Sequence, residues 1–286
     1  MQGVELAQDG EALFSVVIPA HNEAGYIGAC LSALCAQTPA AGAVEVIVVA
    51  NACTDATVAV AQAEAPAFAA RGWQLVVLDR PEPGKPGALN AGDAAASGVW
   101  RLYLDADILC TPELLGQLRS VLDRSFAVYA TGRLDLAPAR SWVTQRYGDF
   151  WQQLPFVRAG TAGAGLYAVN TAGRARWGMF PPIIADDSFV RLQFCPEERV
   201  EVPAGYCWPL VEGFAALVRV RRRQDAGMAE LFRLYPELAR NEGKPRLGPT
   251  GLARLALQNP VSFLVYTAVA LAVRSRRAGS AWVRGR

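Results

Sequence analysis

The 286 residues are 52% hydrophobic, enough for one large α/β domain or for one domain with a helical appendage. A formal net charge of +2 creates no global field for nucleic acid. The six cysteines (Cys30, Cys35, Cys53, Cys110, Cys195 and Cys207) contain no C-x-x-C pair, so they give no zinc signature and fit a reduced, cytoplasmic protein.

The opening stretch MQGVELAQDGEALF has no basic n-region and no apolar h-region, so it does not read as a signal peptide. Phe14–Ala20 (FSVVIPA), Val44–Asn51 (VEVIVVAN), Gln74–Arg80 (QLVVLDR) and Val99–Asp107 (VWRLYLDAD) are short, rich in β-branched residues and almost continuously apolar. Strands covered on both faces read this way. Between the first two, Ile27, Leu31 and Leu34 form a helical stripe. Thr54 is placed to cap a helix through Val58 and Ala61. Thr111-Pro112-Glu113 starts another helix, with Leu114, Leu115, Leu118, Val121 and Leu122 on its apolar face. Further strands are predicted at Ala127–Leu136 and Leu166–Val169, the latter after the flexible turn Gly160–Gly165.

From about Phe214 the reading is helical, interrupted at Pro236, Pro245, Pro249 and Pro260. The apolar stretch Val261–Val273 is too short for a ~30 Å bilayer core at ~1.5 Å per residue, so a buried or interfacial helix is expected. Arg219, Arg221, Arg222 and Arg223 form a basic knot, and Arg274, Arg276, Arg277, Arg284 and Arg286 a basic tail. Such runs are either a solvated face or an attraction for anionic lipid headgroups or a phosphorylated acceptor.

Strand–helix alternation predicts a mainly parallel sheet with helices on both sides. Ligands bind such sheets at the carboxyl ends of the strands. Asn22 and Glu23, Asn51 to Asp55, and Asp105 and Asp107 all stand at such ends. Asp105-Ala106-Asp107 is either a polar strand end or a clamp in which a hard divalent cation joins carboxylates to a diphosphate. Lys85, in PGKPGALN, is either a solvated turn residue or a partner for a phosphate or nucleoside. Asp186-Asp187 either cap a helix or supply a general base, since one of two adjacent acids has its pKa raised by the other. His21, the lone histidine, supports neither a histidine metal cluster nor a G-x-S-x-G triad, and reads as a wall of a nucleotide pocket. Trp142, Trp151, Trp177 and Trp208 are candidates for an acceptor wall or for core.

FSVVIPAHNE (Phe14–Glu23), VIVVANACTDAT (Val46–Thr57), GKPGALN (Gly84–Asn90), LDAD (Leu104–Asp107) and ADD (Ala185–Asp187) resemble, in order, the motifs of family 2 glycosyltransferases over about Phe14–Phe194. The resemblance implies an α/β, A-type glycosyltransferase fold: a Rossmann-like, mostly parallel mixed sheet flanked by helices, here with a helical C-terminal extension. The expected division is 1–215 as catalytic domain, with a nucleotide part at about 14–110 and an acceptor part at about 111–215. Residues 216–286 form the helical, basic extension. By position, Pro19, Ala20, Asn22 and Glu23 would touch the nucleoside beside His21, and Asn51 and Lys85 would complete its pocket. Asp105 and Ala106 would lie at the nucleotide sugar, Asp107 with Asp105 would hold Mn²⁺ or Mg²⁺, and Asp187, next to Asp186, would be the catalytic base.

The implied activity is inverting transfer from a UDP- or GDP-linked sugar to a hydroxyl on a glycan, a lipid-linked carrier or a small molecule. The expected location is cytoplasmic, at or near the inner face of an anionic membrane. The sequence departs from the family at His21, often Tyr, and at Ala50-Asn51, often an Asp pair. It lacks the Q-x-x-R-W motif of processive synthases, so one sugar per acceptor is expected. Neither a pyrophosphorylase loop nor the G-x-G-x-x-G of a dehydrogenase is present. The competing reading is a catalytically silent nucleotide-sugar-binding or scaffold protein in a membrane-associated glycan pathway.

Overall fold

The computed structural model describes residues 13–158, 161–245 and 247–275. The N-terminal stretch before Leu13, Gly160 of the flexible turn, and the basic tail beyond Ser275 lie outside them. Among the described residues the strands are β1 (Phe14–Ala20), β2 (Val44–Asn51), β3 (Gln74–Arg80), β4 (Trp100–Leu104), β5 (Leu109–Cys110), β6 (Tyr129–Leu136), β7 (Leu166–Asn170) and β8 (Arg199–Trp208). They form one mixed sheet in the order β3-β2-β1-β4-β7-β6-β8-β5. The β1–β4 portion is parallel throughout, whereas β7 runs antiparallel to both β4 and β6.

Every residue of β1 and β2 is buried, because both faces of the sheet are covered. Phe14, Val16 and Ile18 point into one apolar layer with Ile27, Leu31, Leu34, Leu114 and Leu118. Val17 and Tyr103 point into the opposite layer with Leu89, Phe180, Phe189 and Val190. This two-sided burial is why the strands read as continuous apolar runs instead of alternating ones. β4 ends at Leu104, short of the predicted Asp107, because the chain turns at Asp105, whose N–H donates to the Gly165 carbonyl at 2.8 Å.

Two predicted caps are made differently. The helix after β2 starts at Thr57, and Asp55 accepts from the Thr57 N–H at 3.0 Å, while Thr54 is tied to Asn22 instead. At Leu114–Leu122, Thr111 Oγ1 is buried without a hydrogen bond, and Gln37 accepts from the Leu115 N–H at 2.8 Å. β8 is the long strand missing from the sequence reading. It pairs parallel with β6, and the register jumps from Gly132↔Val202 to Arg133↔Gly205, leaving Pro203 and Ala204 in a bulge. A proline without an N–H is accommodated there and would break a regular central strand.

The C-terminal helices are Phe214–Leu234, Pro249–Gln258 and Pro260–Arg274. Pro249 and Pro260 each open a helix, where a missing N–H costs nothing. Leu217, Val218 and Val269 belong to the same core as β1 and β2. Tyr266 packs on Tyr147 and Phe150, with ring centroids 5.3 and 4.9 Å apart.

Candidate active site

The carboxyl ends of β1, β2 and β4 open into a cleft of about 1480 Å³. Pro19, His21, Asn22 and Glu23 line it after β1, Asn51 at the end of β2, and Gly84 and Lys85 after β3. Asp105, Ala106 and Asp107 line it after β4, and Asp186 and Asp187 face it from a short helix, Asp186–Arg191. Ala20 is the exception among the expected residues. It is 1% exposed beneath the cleft floor, and its carbonyl accepts from the Asn51 amide at 2.8 Å.

The loops at these strand ends brace one another. Asn51 Oδ1 accepts from the Gly84 N–H at 3.2 Å, and the Asn51 carbonyl is hydrogen-bonded to His21 Nδ1. Asn22 holds Thr54 through two bonds, at 2.7 and 3.0 Å. Asn22 (φ 56°) and Ala52 (φ 49°) both sit in the left-handed region. For Ala this costs about 1–2 kcal/mol, and strain of this kind persists where the surroundings over-determine the backbone.

Lys85 opens the helix Lys85–Ala95 and reaches back into the cleft. Its Nζ lies 2.9 Å from Asp105 and 3.0 Å from Asp186. Burial opposes its charge, but Asp105, Asp186 and Asp187 outweigh burial and hold it protonated well above its ordinary range. Asp186 is 5% exposed. Burial pushes its carboxyl up to about 6; Lys85 opposes this, and Asp187 and Asp105 add to it. The long helix Phe214–Leu234 sets the position of this acidic pair. Gly227 lets it lie against Ile184, which a Cβ would meet at 3.0 Å, and Glu230 accepts from the Ile184 N–H at 3.1 Å.

The far half of the cleft is aromatic and basic. Trp151 and Trp208 line it with ring centroids 5.7 Å apart, and Tyr266 joins them. Trp177 lies in the core against Phe180 and Trp142 is 58% exposed, so neither belongs to this wall. The basic knot is split by the helix. Arg221 and Arg223 line the cleft, Arg219 is exposed, and Arg222 donates to the Ala272 and Val273 carbonyls at the end of Pro260–Arg274. A wholly solvated face therefore does not describe it. Arg191 and Arg199, both buried, meet at Glu242: Arg191 donates to its carboxylate at 3.2 Å and Arg199 to its backbone carbonyl at 3.3 Å, and Lys244 lies 2.7 Å from the carboxylate. Burial, together with the charge of Arg191, lowers Arg199 to about 10. Sequence reasoning missed these arginines; the available signal was Arg191, one helical turn after Asp187.

At the β4 end the donor chemistry is all oxygen. Among the described residues no group of three or more His, Cys, Asp or Glu forms a complete metal cage. Asp105 and Asp107 do suit a hard cation that takes its remaining ligands from phosphates and water. Gly165 keeps that space clear, since a Cβ there would lie 3.0 Å from Asp105 Oδ2.

Comparison with known proteins bears on the fold and the family. The solved mannosyltransferase PcManGT from Pyrobaculum calidifontis, in complex with GDP-Man and Mn²⁺, superposes with a TM-score of 0.60 at 21% identity, covering 97% of this chain and 80% of that one. Glucosyl-3-phosphoglycerate synthase from Mycobacterium tuberculosis, in complex with Mn²⁺, UDP-Glc and glycerol 3-phosphate, gives 0.53 at 18% identity, covering 78% and 79%. These likenesses establish the A-type glycosyltransferase fold. A PGL/p-HBAD biosynthesis glycosyltransferase from Mycobacterium bovis is 35% identical over 95 residues, 33% of this chain and 35% of the relative. The match thus spans about a third of that relative's length. The family model described as Glycosyl transferase family 2 matches residues 15–177, more than half of the chain, and the protein belongs to that family.

Proposed function

We propose that the chain is a metal-dependent, inverting glycosyltransferase that moves one sugar from a UDP- or GDP-linked donor to a hydroxyl acceptor. The supporting observation is the convergence of Lys85, Asp105, Asp107, Asp186 and Asp187 on one cleft from three separate stretches of chain. In this reading Pro19, His21, Asn22, Glu23 and Asn51 hold the nucleoside, with Ala106 and Asp105 at the nucleotide sugar. Asp107 and Asp105 would hold Mn²⁺ or Mg²⁺, which would offset negative charge on a diphosphate. Lys85 adds a fixed positive charge to the same region. Asp187 takes the proton of the acceptor hydroxyl. The acceptor oxygen then bonds to the anomeric carbon on the face opposite the breaking bond, and the pair of electrons leaves with the diphosphate. That geometry inverts the centre. Asp186, already tied to Lys85, positions this group. A silent binding protein would be expected to have lost one of Asp105, Asp107 and Asp187, and all three line the cleft.

The donor is assigned to about 14–110 and the acceptor to about 111–215. Arg221, Arg223 and Tyr266 of the C-terminal region add to the acceptor wall. Its basic character favours an acceptor carrying negative charge. The reading includes a cytoplasmic location with peripheral contact at an anionic membrane, supported by the basic composition after Glu242. Calorimetry of UDP and GDP, each with and without Mn²⁺, on wild type and Asp107→Ala tests the function. Metal-dependent binding of one nucleotide, lost in the variant, is the expected result. Folded wild type that binds neither, or a variant with unchanged metal dependence, rejects it.

A further inference from the structure

The last helix leaves an apolar face uncovered, and the helix before it adds an exposed leucine. On Pro260–Arg274, Ser262, Val269 and the cleft-lining Tyr266 lie on the inner side. Val261, Leu264 and Leu271 project from the other side, 48%, 65% and 60% exposed. At 3.6 residues per turn these three fall within about 80° of one another. On the preceding helix Leu257 is 83% exposed. Single exposed apolar side chains are ordinary, but a run of them along consecutive helices marks an interaction surface.

The charge of the same stretch selects the partner. After Glu242 the sequence holds eight Lys and Arg, Arg254 and Arg274 among them, and no Asp or Glu. Since the whole chain is +2, the first 242 residues carry −6 (20 basic against 26 acidic), so the positive charge is concentrated at this end. A second copy docking through this same end would bring like positive charge to the face and be repelled, whereas an anionic bilayer is attracted. Pro260–Arg274 has 15 residues, about 22 Å at 1.5 Å each, against a hydrocarbon core of about 30 Å. Among the described residues no helix is long and apolar enough to cross a membrane. The geometry therefore suits a helix lying on the membrane with its exposed apolar side chains toward the hydrocarbon.

We propose that Leu257, Val261, Leu264 and Leu271 dock the protein on an anionic bilayer. This gives the membrane contact of the proposed function its surface and rests on that reading. Because Tyr266 lies on the opposite side of the same helix, docking brings the acceptor end of the cleft about one helix diameter, ~10 Å, from the lipid.

The test is co-flotation of the full chain with vesicles of phosphatidylcholine alone, or with about 30% phosphatidylglycerol, at low and high salt. Leu257→Glu/Leu264→Glu is compared with wild type. Both leucines are largely exposed and outside the cleft, and circular dichroism checks the fold. Wild type is expected to float with the anionic vesicles only, less so at high salt, and the double variant to partition at least tenfold more weakly. No flotation of folded wild type at low salt overturns the proposal, as does equal flotation of the variant. A concentration-dependent dimer by light scattering that the variant abolishes, without vesicle binding, also overturns it in favour of self-association. Nucleotide calorimetry on the same preparations separates the two readings. Flotation without nucleotide binding rejects the transferase and supports this surface, whereas nucleotide binding without flotation rejects this surface alone.

Discussion

Replacing Lys85 by Met keeps a side chain of similar length and removes the ammonium that bridges Asp105 and Asp186. Asp105 is about a third exposed and stays solvated, so the main consequence falls on the buried Asp186. With Lys85 present that carboxyl already stands at about 6. Without it the value rises further, and at pH 7.5 the group takes up a proton instead of remaining charged. Protonation sets a ceiling on the cost. From about 6 to 7.5 is about 1.5 pH units, at about 1.4 kcal/mol each, or about 2 kcal/mol. The sign follows from proton counting. A carboxyl whose folded value lies above its ordinary 3.8 binds more protons folded than unfolded, so stability falls as pH rises. At pH 5 Asp186 is protonated in both proteins, and the difference shrinks to less than about 0.5 kcal/mol. Urea unfolding of both proteins at the two pH values measures it. A difference at pH 5 as large as at pH 7.5 would refute the assignment of Lys85 as the counter-charge of Asp186.

Asp187→Asn is expected to leave nucleotide binding intact and lower transfer by about 10²–10⁴-fold; full transfer activity would move the base elsewhere. Gly92→Ala drives a Cβ into Val17 Cγ1 and places it 3.2 Å from Val49 Cγ2. The overpacking, about 1–3 kcal/mol, outweighs a helix-propensity gain of about 1 kcal/mol, so the melting temperature should fall, and a rise would contradict the packing. Arg176 holds the Glu198 carboxyl down to about 2. A carboxyl lowered in the folded state adds stability above its ordinary 4.5 and loses it as pH falls toward 2. The stability gap between wild type and Arg176→Gln should therefore narrow between pH 7 and pH 3, and a constant gap would exclude the pairing.

The strands that carry the site were legible because their physics is local. β1 and β2 are bounded in the structure where their apolar runs begin and end, since a strand buried on both faces admits few polar residues, and the half-exposed edge strand β3 keeps the bounds of its apolar run as well. The Asn22 and Asn51 loops follow from where β1 and β2 stop, whereas the turn at Asp105 ends β4 earlier than its apolar run. The Ser262–Val269 side of the last helix is packed and its other side open, which the apolar Val261–Val273 run alone could not divide. Tertiary structure alone decided the remainder. β8 is interrupted by Pro203, and only its pairing with β6 across a bulge makes it a strand. Of the tryptophans, composition could not separate Trp151 and Trp208 on the cleft from Trp177 in the core. The basic knot looks uniform along the chain, yet helical rotation sends Arg221 and Arg223 to the cleft, Arg222 to a helix end and Arg219 to the surface. Lys85 and Asp186 are distant in sequence, and their 3.0 Å contact exists because Leu89 of the helix Lys85–Ala95 packs into the same apolar layer as Phe180 and Phe189, which flank Asp186. Periodicity records which side of an element meets a core; it carries no information about which distant element stands there.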